Sequence, residues 1–194
     1  MTTQNPSFHP QTPPPRLTPY APPARWLHWL TAAAVLFVIP AGIAMMNLPQ
    51  GAAQDRLFDL HRSVGILILV LAVLRVAVRV ALGAPPPAPG LPRWQHVVAS
   101  ATHHLLYVLI VVMPLLGWAT SSTYGAQVSV FGLFTLPALL AKNEPLSDLL
   151  GAIHQVLGFA MAALVGLHIA AALFHGIVKR DGVLSRMIPA LSRR

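Results

Sequence analysis

Two histidines, His154 and His168, lie fourteen positions apart in a stretch, Leu149 to Val178, that contains no charged residue. At 3.6 residues per turn that spacing is about 40° short of four full turns, with a rise of roughly 21 Å. The two imidazoles therefore share one helix face at two depths. His28 opens the apolar run Trp26 to Met46, and His61 opens the run from Leu60 to Leu82. Alternation of direction puts His28 at the depth of His168 and His61 at the depth of His154. A ligating side chain at membrane depth is costly and points to function, and an unpaired imidazole as deep as His168 is the most expensive of the four. Imidazoles facing each other across a helix bundle, at each of two levels, form bis-histidine sites for two b-type haems held without covalent attachment. The chain has no cysteine, which excludes disulfides, thiolate metal sites, cysteine-ligated clusters and thioether-linked haem.

A flat macrocycle between helices needs small residues beside it. Gly42 falls fourteen positions after His28, and Gly65 and Gly158 each fall one turn beyond an outer histidine. Each is also an ordinary small contact between membrane helices. His103 and His104, at the inner level of the third helix, are candidates to touch propionates, bind quinone or replace a ligand, and equally suit the membrane interface. Arg75 and Arg79, one turn apart, could meet haem propionates or an anionic intermediate, or act as positive-inside anchors. His175 is expected to reach the headgroups, and His96 and His9 to be exposed. Trp26, Trp29, Trp94 and Trp118 read as interface-belt residues. No phosphate loop, dinucleotide fingerprint or hydrolase triad is present.

The elements that must position these residues are membrane helices. Of 194 residues, 55% are hydrophobic and 9% charged, against about 25% charged in a soluble domain. The formal charge of +8 flanks the apolar runs and does not cluster on a soluble face, so nucleic acid is not an expected partner. Trp26–Met46, Leu60–Leu82, Val97–Ser121 with Pro114 as a kink, and Leu149–Val178 each match the ~20 residues that cross a bilayer core. The fold class is thus an all-α membrane protein, a four-helix bundle spanning residues 25–180. Residues 1–24 are expected to be a disordered, proline-rich tail, 181–194 a basic C-terminal segment, and Tyr124–Pro145 a loop folded against the outer surface. Ten of the 13 Lys and Arg fall on the side of the termini, whereas Arg56, Arg62 and Lys142 lie opposite with four of the five acids. Both termini are therefore expected in the cytoplasm.

The runs RWLHWLTAAAVLFVIPAG, HRSVGILILVLAVLRVAVR, HHLLYVLIVVMPLLGW and HQVLGFAMAALVGLHIAAALFHGIVKRDGVLSRMIP resemble the bacterial cytochrome b561 family over about residues 20 to 190. The resemblance implies a four-helix inner-membrane cytochrome with two b haems. It places His28 and His168 on the cytoplasmic haem iron and His61 and His154 on the periplasmic one. Some members exchange electrons between periplasmic superoxide and membrane ubiquinone, which implies a superoxide:ubiquinone oxidoreductase with lipid, quinone and a periplasmic donor as partners. Related four-helix cytochromes instead serve as haem-bearing anchors that pass electrons from a dehydrogenase or hydrogenase to quinone. A haem-free four-helix transporter is a third reading, which would line a path with its polar groups where these histidines pair by depth. Arg62 and Lys142 could draw superoxide to the outer mouth, although the outer loops carry more acids than bases.

Overall fold

A computed structural model describes residues 17–193. Four long helices span it: α1 (Pro22–Asn47), α2 (Ala52–Leu82), α3 (Arg93–Tyr124) and α4 (Glu144–Leu173), the last continuing as a π-helical segment over Phe174–Lys179. Each expected span is present, and each helix starts several residues earlier than its apolar run. Polar and proline-bearing turns extend the helices past the apolar stretch, since Pro suits the first turn, where its missing N–H costs nothing. Pro22 and Pro145 sit at such positions, and Asn143 caps α4 by accepting a hydrogen bond from the Leu146 amide at 3.0 Å. The expected tail accordingly stops short. Helix begins at Pro22, and the Tyr20 amide already bonds the Arg186 carbonyl at 3.1 Å. Residues 1–16, and His9 with them, lie outside the described residues.

The helices pack in chain order, α1 on α2, α2 on α3 and α3 on α4. Mid-bundle, Val35, Ile68, Ala72, Leu109, Ile110 and Met161 form the buried core. The outer surface is apolar, with Val80 and Leu133 each 80% exposed, as lipid contact requires. All four helices are long and apolar enough to cross a membrane.

The segment after α3, expected as a loop, contains a strand pair, β1 (Val128–Val130) antiparallel to β2 (Phe134–Leu136). Phe131 and Gly132, both with positive φ, turn the chain, and the Leu133 amide closes onto the Val130 carbonyl at 2.9 Å. Ser63 of α2 holds this hairpin: its hydroxyl donates to the Ser129 carbonyl at 3.1 Å and accepts from the Phe131 amide at 2.9 Å. Trp118, expected in an interface belt, donates to the Pro137 carbonyl at 3.0 Å. The hairpin is thus fastened two positions from His61.

At the opposite end, Arg186, in the segment 181–194 expected from sequence to be basic, is buried. Its guanidinium donates to the carbonyls of Thr18 at 3.1 Å and Pro86 at 2.7 Å, and lies over the Tyr20 ring. Hydrogen bonds to a charged donor contribute about 1.5–3 kcal/mol each. One side chain therefore joins the segment before α1, the α2–α3 connection and the segment after α4.

Candidate functional site

Both depth pairs meet. The ring centroids of His61 and His154 are 6.1 Å apart with the planes at 69°, and those of His28 and His168 are 6.1 Å apart at 71°. A metal about 2.0 Å from each nitrogen, with about 1.1 Å from nitrogen to ring centre, would separate two centroids by about 6.2 Å. Both pairs match that distance. His103 also reaches His168, at 5.4 Å, which is short for two rings on opposite sides of one metal. The level of His168 therefore holds three imidazoles, and the ring separation favours His28 as its partner.

Helix backbones make room for the His61–His154 pair at two glycines. A Cβ on Gly42 would lie 2.9 Å from Cε1 of His61, and one on Gly117 would lie 3.1 Å from Cε1 of His154. Any side chain at Gly42 would force the ring to move. A Cβ on Gly42 would lie nearer Nδ1 than Nε2 of His61, at 3.4 against 4.0 Å, and one on Gly117 nearer Nδ1 than Nε2 of His154, at 3.5 against 4.0 Å. Nδ1 of each ring is buried without a hydrogen bond of ordinary geometry, so that nitrogen faces protein. Nε2 is left as the nitrogen for a metal, the usual division of labour in a ligating imidazole. Pro40 and Pro114 lie inside α1 and α3 shortly before these glycines, where a missing N–H bends the helix. The residues present thus fit haem ligation.

The other expected contacts divide. A Cβ on Gly65 would meet nothing within 4 Å and one on Gly158 only the Met113 methyl at 3.7 Å, so space remains beside both. Arg75 and Arg79 line a crevice with Tyr20, Ala24, Gly83, Tyr107 and Met187, and the Arg75 guanidinium lies 5.1 Å over the Tyr107 ring. His104 is exposed, and its Nδ1 lies 2.7 Å from the Ser100 carbonyl. His96 is half-buried in a surface groove with Arg93, Ser100 and His104. His175, expected at the headgroups, pairs through Nδ1 with Asp181.

Two residues escaped the sequence reading. Gly117 follows His103 at the same interval that singled out Gly42 after His28, and that repeat was the available signal. Arg25 stands just before His28, and its Nε is buried without a partner. Its position at a span boundary resembled simple anchoring.

The family model for prokaryotic cytochrome b561 matches residues 19–190. "Cytochrome b561 homolog 2" of Escherichia coli K12 is 35% identical over 130 residues, covering 67% of this chain and 69% of that protein. "Cytochrome b561 homolog 1" of the same organism is 31% identical over 131 residues, covering 68% and 74%. A Yersinia pestis protein named "Probable superoxide oxidase CybB" is 34% identical over 130 residues, covering 67% and 73%.

Proposed function

The chain belongs to the prokaryotic cytochrome b561 family of b-haem electron-transfer proteins of the bacterial membrane, and on that premise we propose that it holds two haems and carries electrons from periplasmic superoxide to ubiquinone. The observation that carries this reading is the recurrence of one geometry, imidazole pairs with 6.1 Å between ring centres, at both ends of a single bundle. Haem iron held between two imidazoles supplies a one-electron carrier whose ligands need not change. His61 and His154 would hold one such group at the hairpin end, and His28 and His168 the other at the end of the termini. The core between them, with Ile68, Leu109, Ile110 and Met161 at its centre, keeps water out of the interval. Arg75, Arg79, His103 and His104 lie at the end of the termini, where propionates or a quinone head group would meet them. A relative named for superoxide oxidase supports superoxide as the donor.

The test is a pyridine haemochrome count on the purified protein, followed by superoxide and a quinone analogue in detergent. Two haems per chain and quinone reduction without further protein are expected. A haem-replete protein that shows no turnover and copurifies with a dehydrogenase or hydrogenase would instead be a membrane anchor for that enzyme.

Orientation has its own expected result. The excess of Lys and Arg beside the termini supports a cytoplasmic location for both. A reporter fused after Arg194 should be active only in its cytoplasmic form, and one inserted at Asn143 only in its periplasmic form. The opposite pattern would exchange the donor and acceptor ends.

A further inference from the structure

The bundle is two copies of one helical hairpin. His28 and Gly42 of α1 recur as His103 and Gly117 of α3, at the same fourteen-position interval; His61 and Gly65 of α2 recur as His154 and Gly158 of α4, again one turn apart. The contacts recur as well, since Gly42 abuts the His61 ring and Gly117 the His154 ring. At the hairpin end each copy contributes the same residues, and the site is twofold in character. Fourteen positions beyond His154 stands His168, but fourteen beyond His61 stands Arg75. The repeat is broken there, at the level of the second histidine pair, by a cation in the place of an imidazole.

No carboxylate of the protein pairs with that charge among the described residues. Arg75 is half-buried and stacked on Tyr107, and its charge falls on the rings of His28 and His168. Neither it, Arg79 nor Arg25 has a carboxylate partner among the described residues, and Asp181, the acid at this end, is taken by His175. At the hairpin end Arg62 lies 3.4 Å from Asp59 and Lys142 3.3 Å from Glu144, so each of these two cations has a carboxylate beside it, although the Arg62 charge also reaches His61. Uptake of one electron lowers the charge of a site by one, so a fixed cation favours its reduced form. Partial burial keeps that effect from being screened as it would be in water.

We propose that Arg75, standing in the repeat position of His168, is the positioning charge that sets the reduction potential of the His28–His168 site above that of the His61–His154 site and so directs electrons toward the end of the termini. This rests on the two-haem reading above. It adds to that reading a residue and a direction: one electron leaves the hairpin-end site and one arrives at the other, with no bond made or broken.

Potentiometric titration of the optical spectrum tests it. Arg75→His writes the second hairpin's residue into the first, Arg75→Gln removes the charge, and Arg75→Lys keeps it. In Arg75→Gln and Arg75→His both haems should remain, with the midpoint of the His28–His168 site lowered and the other unmoved. The electron's distribution between the sites should shift at least tenfold toward the hairpin end, which for a one-electron couple is ~59 mV. Arg75→Lys should restore most of the native midpoint. Unchanged midpoints, or equal shifts at both sites, would overturn the proposal. So would loss of one haem from both uncharged variants while Arg75→Lys retained it, since Arg75 would then hold the site together without tuning it. A wild-type protein lacking two haems would instead refute the underlying reading, and the native spectrum alone shows which has failed.

Discussion

Substitution of His61 or His154 by leucine is expected to remove one haem and leave the other, lowering the pyridine haemochrome count from two to about one per chain. Substitution of His28 or His168 should do the same to the other site. Members of a pair should leave matching residual spectra, and the two pairs should leave different ones. The reason is separation: the levels are roughly 21 Å apart along α4, with a packed apolar core between them. The surviving site should therefore keep its low-spin bis-histidine spectrum. His103→Ala is the informative control, because that ring is also near His168. It should retain both haems, as should His104→Ala and His175→Ala. If His103 were required for haem retention and His28 were not, the ligand would come from α3, and the match in ring separation would have misled.

The second large effect comes from adding atoms. Gly42→Leu and Gly117→Leu should each abolish the His61–His154 haem while leaving the His28–His168 haem spectrally intact. Even alanine puts a carbon 2.9 Å from the His61 ring at Gly42 and 3.1 Å from the His154 ring at Gly117. Forced overpacking of this kind costs about 1–3 kcal/mol. Gly42→Ala should therefore weaken haem retention by roughly an order of magnitude, and Gly117→Ala by less. The readout is haem content after size-exclusion in detergent. Equal haem content in Gly42→Leu and wild type would show that the ring has room the packing does not suggest.

The sequence made the spans and the histidine levels legible because both depend on periodicity along a single helix. The interval between His154 and His168 fixes a face and a rise wherever the helix sits. What escaped depends on contacts between distant segments. The fourteen-residue interval from His103 marks Gly117 along its own helix, but the ring it makes room for, that of His154, belongs to another helix and is not written in that interval. The strands Val128–Val130 and Phe134–Leu136 are each a single short step of chain, too brief for alternation to distinguish them from an apolar loop. Their anchor is Ser63, far back in α2, whose hydroxyl reaches the Ser129 carbonyl. Arg186 counted as one more surface cation because its partners are backbone carbonyls, which have no sequence signature at all.

Those carbonyls give Arg186 a place in the biogenesis of the protein. Thr18 and Pro86 leave the ribosome 168 and 100 residues ahead of it, so both wait without this donor through the insertion of the last helix. The first hairpin enters the bilayer with its loose ends unjoined. Only when α4 has crossed and the chain has turned back at Asp181–Val183 can the guanidinium fill the space over Tyr20. The contacts of Arg186 are therefore among the last to form, and the final stretch of translation ties this end of the bundle together.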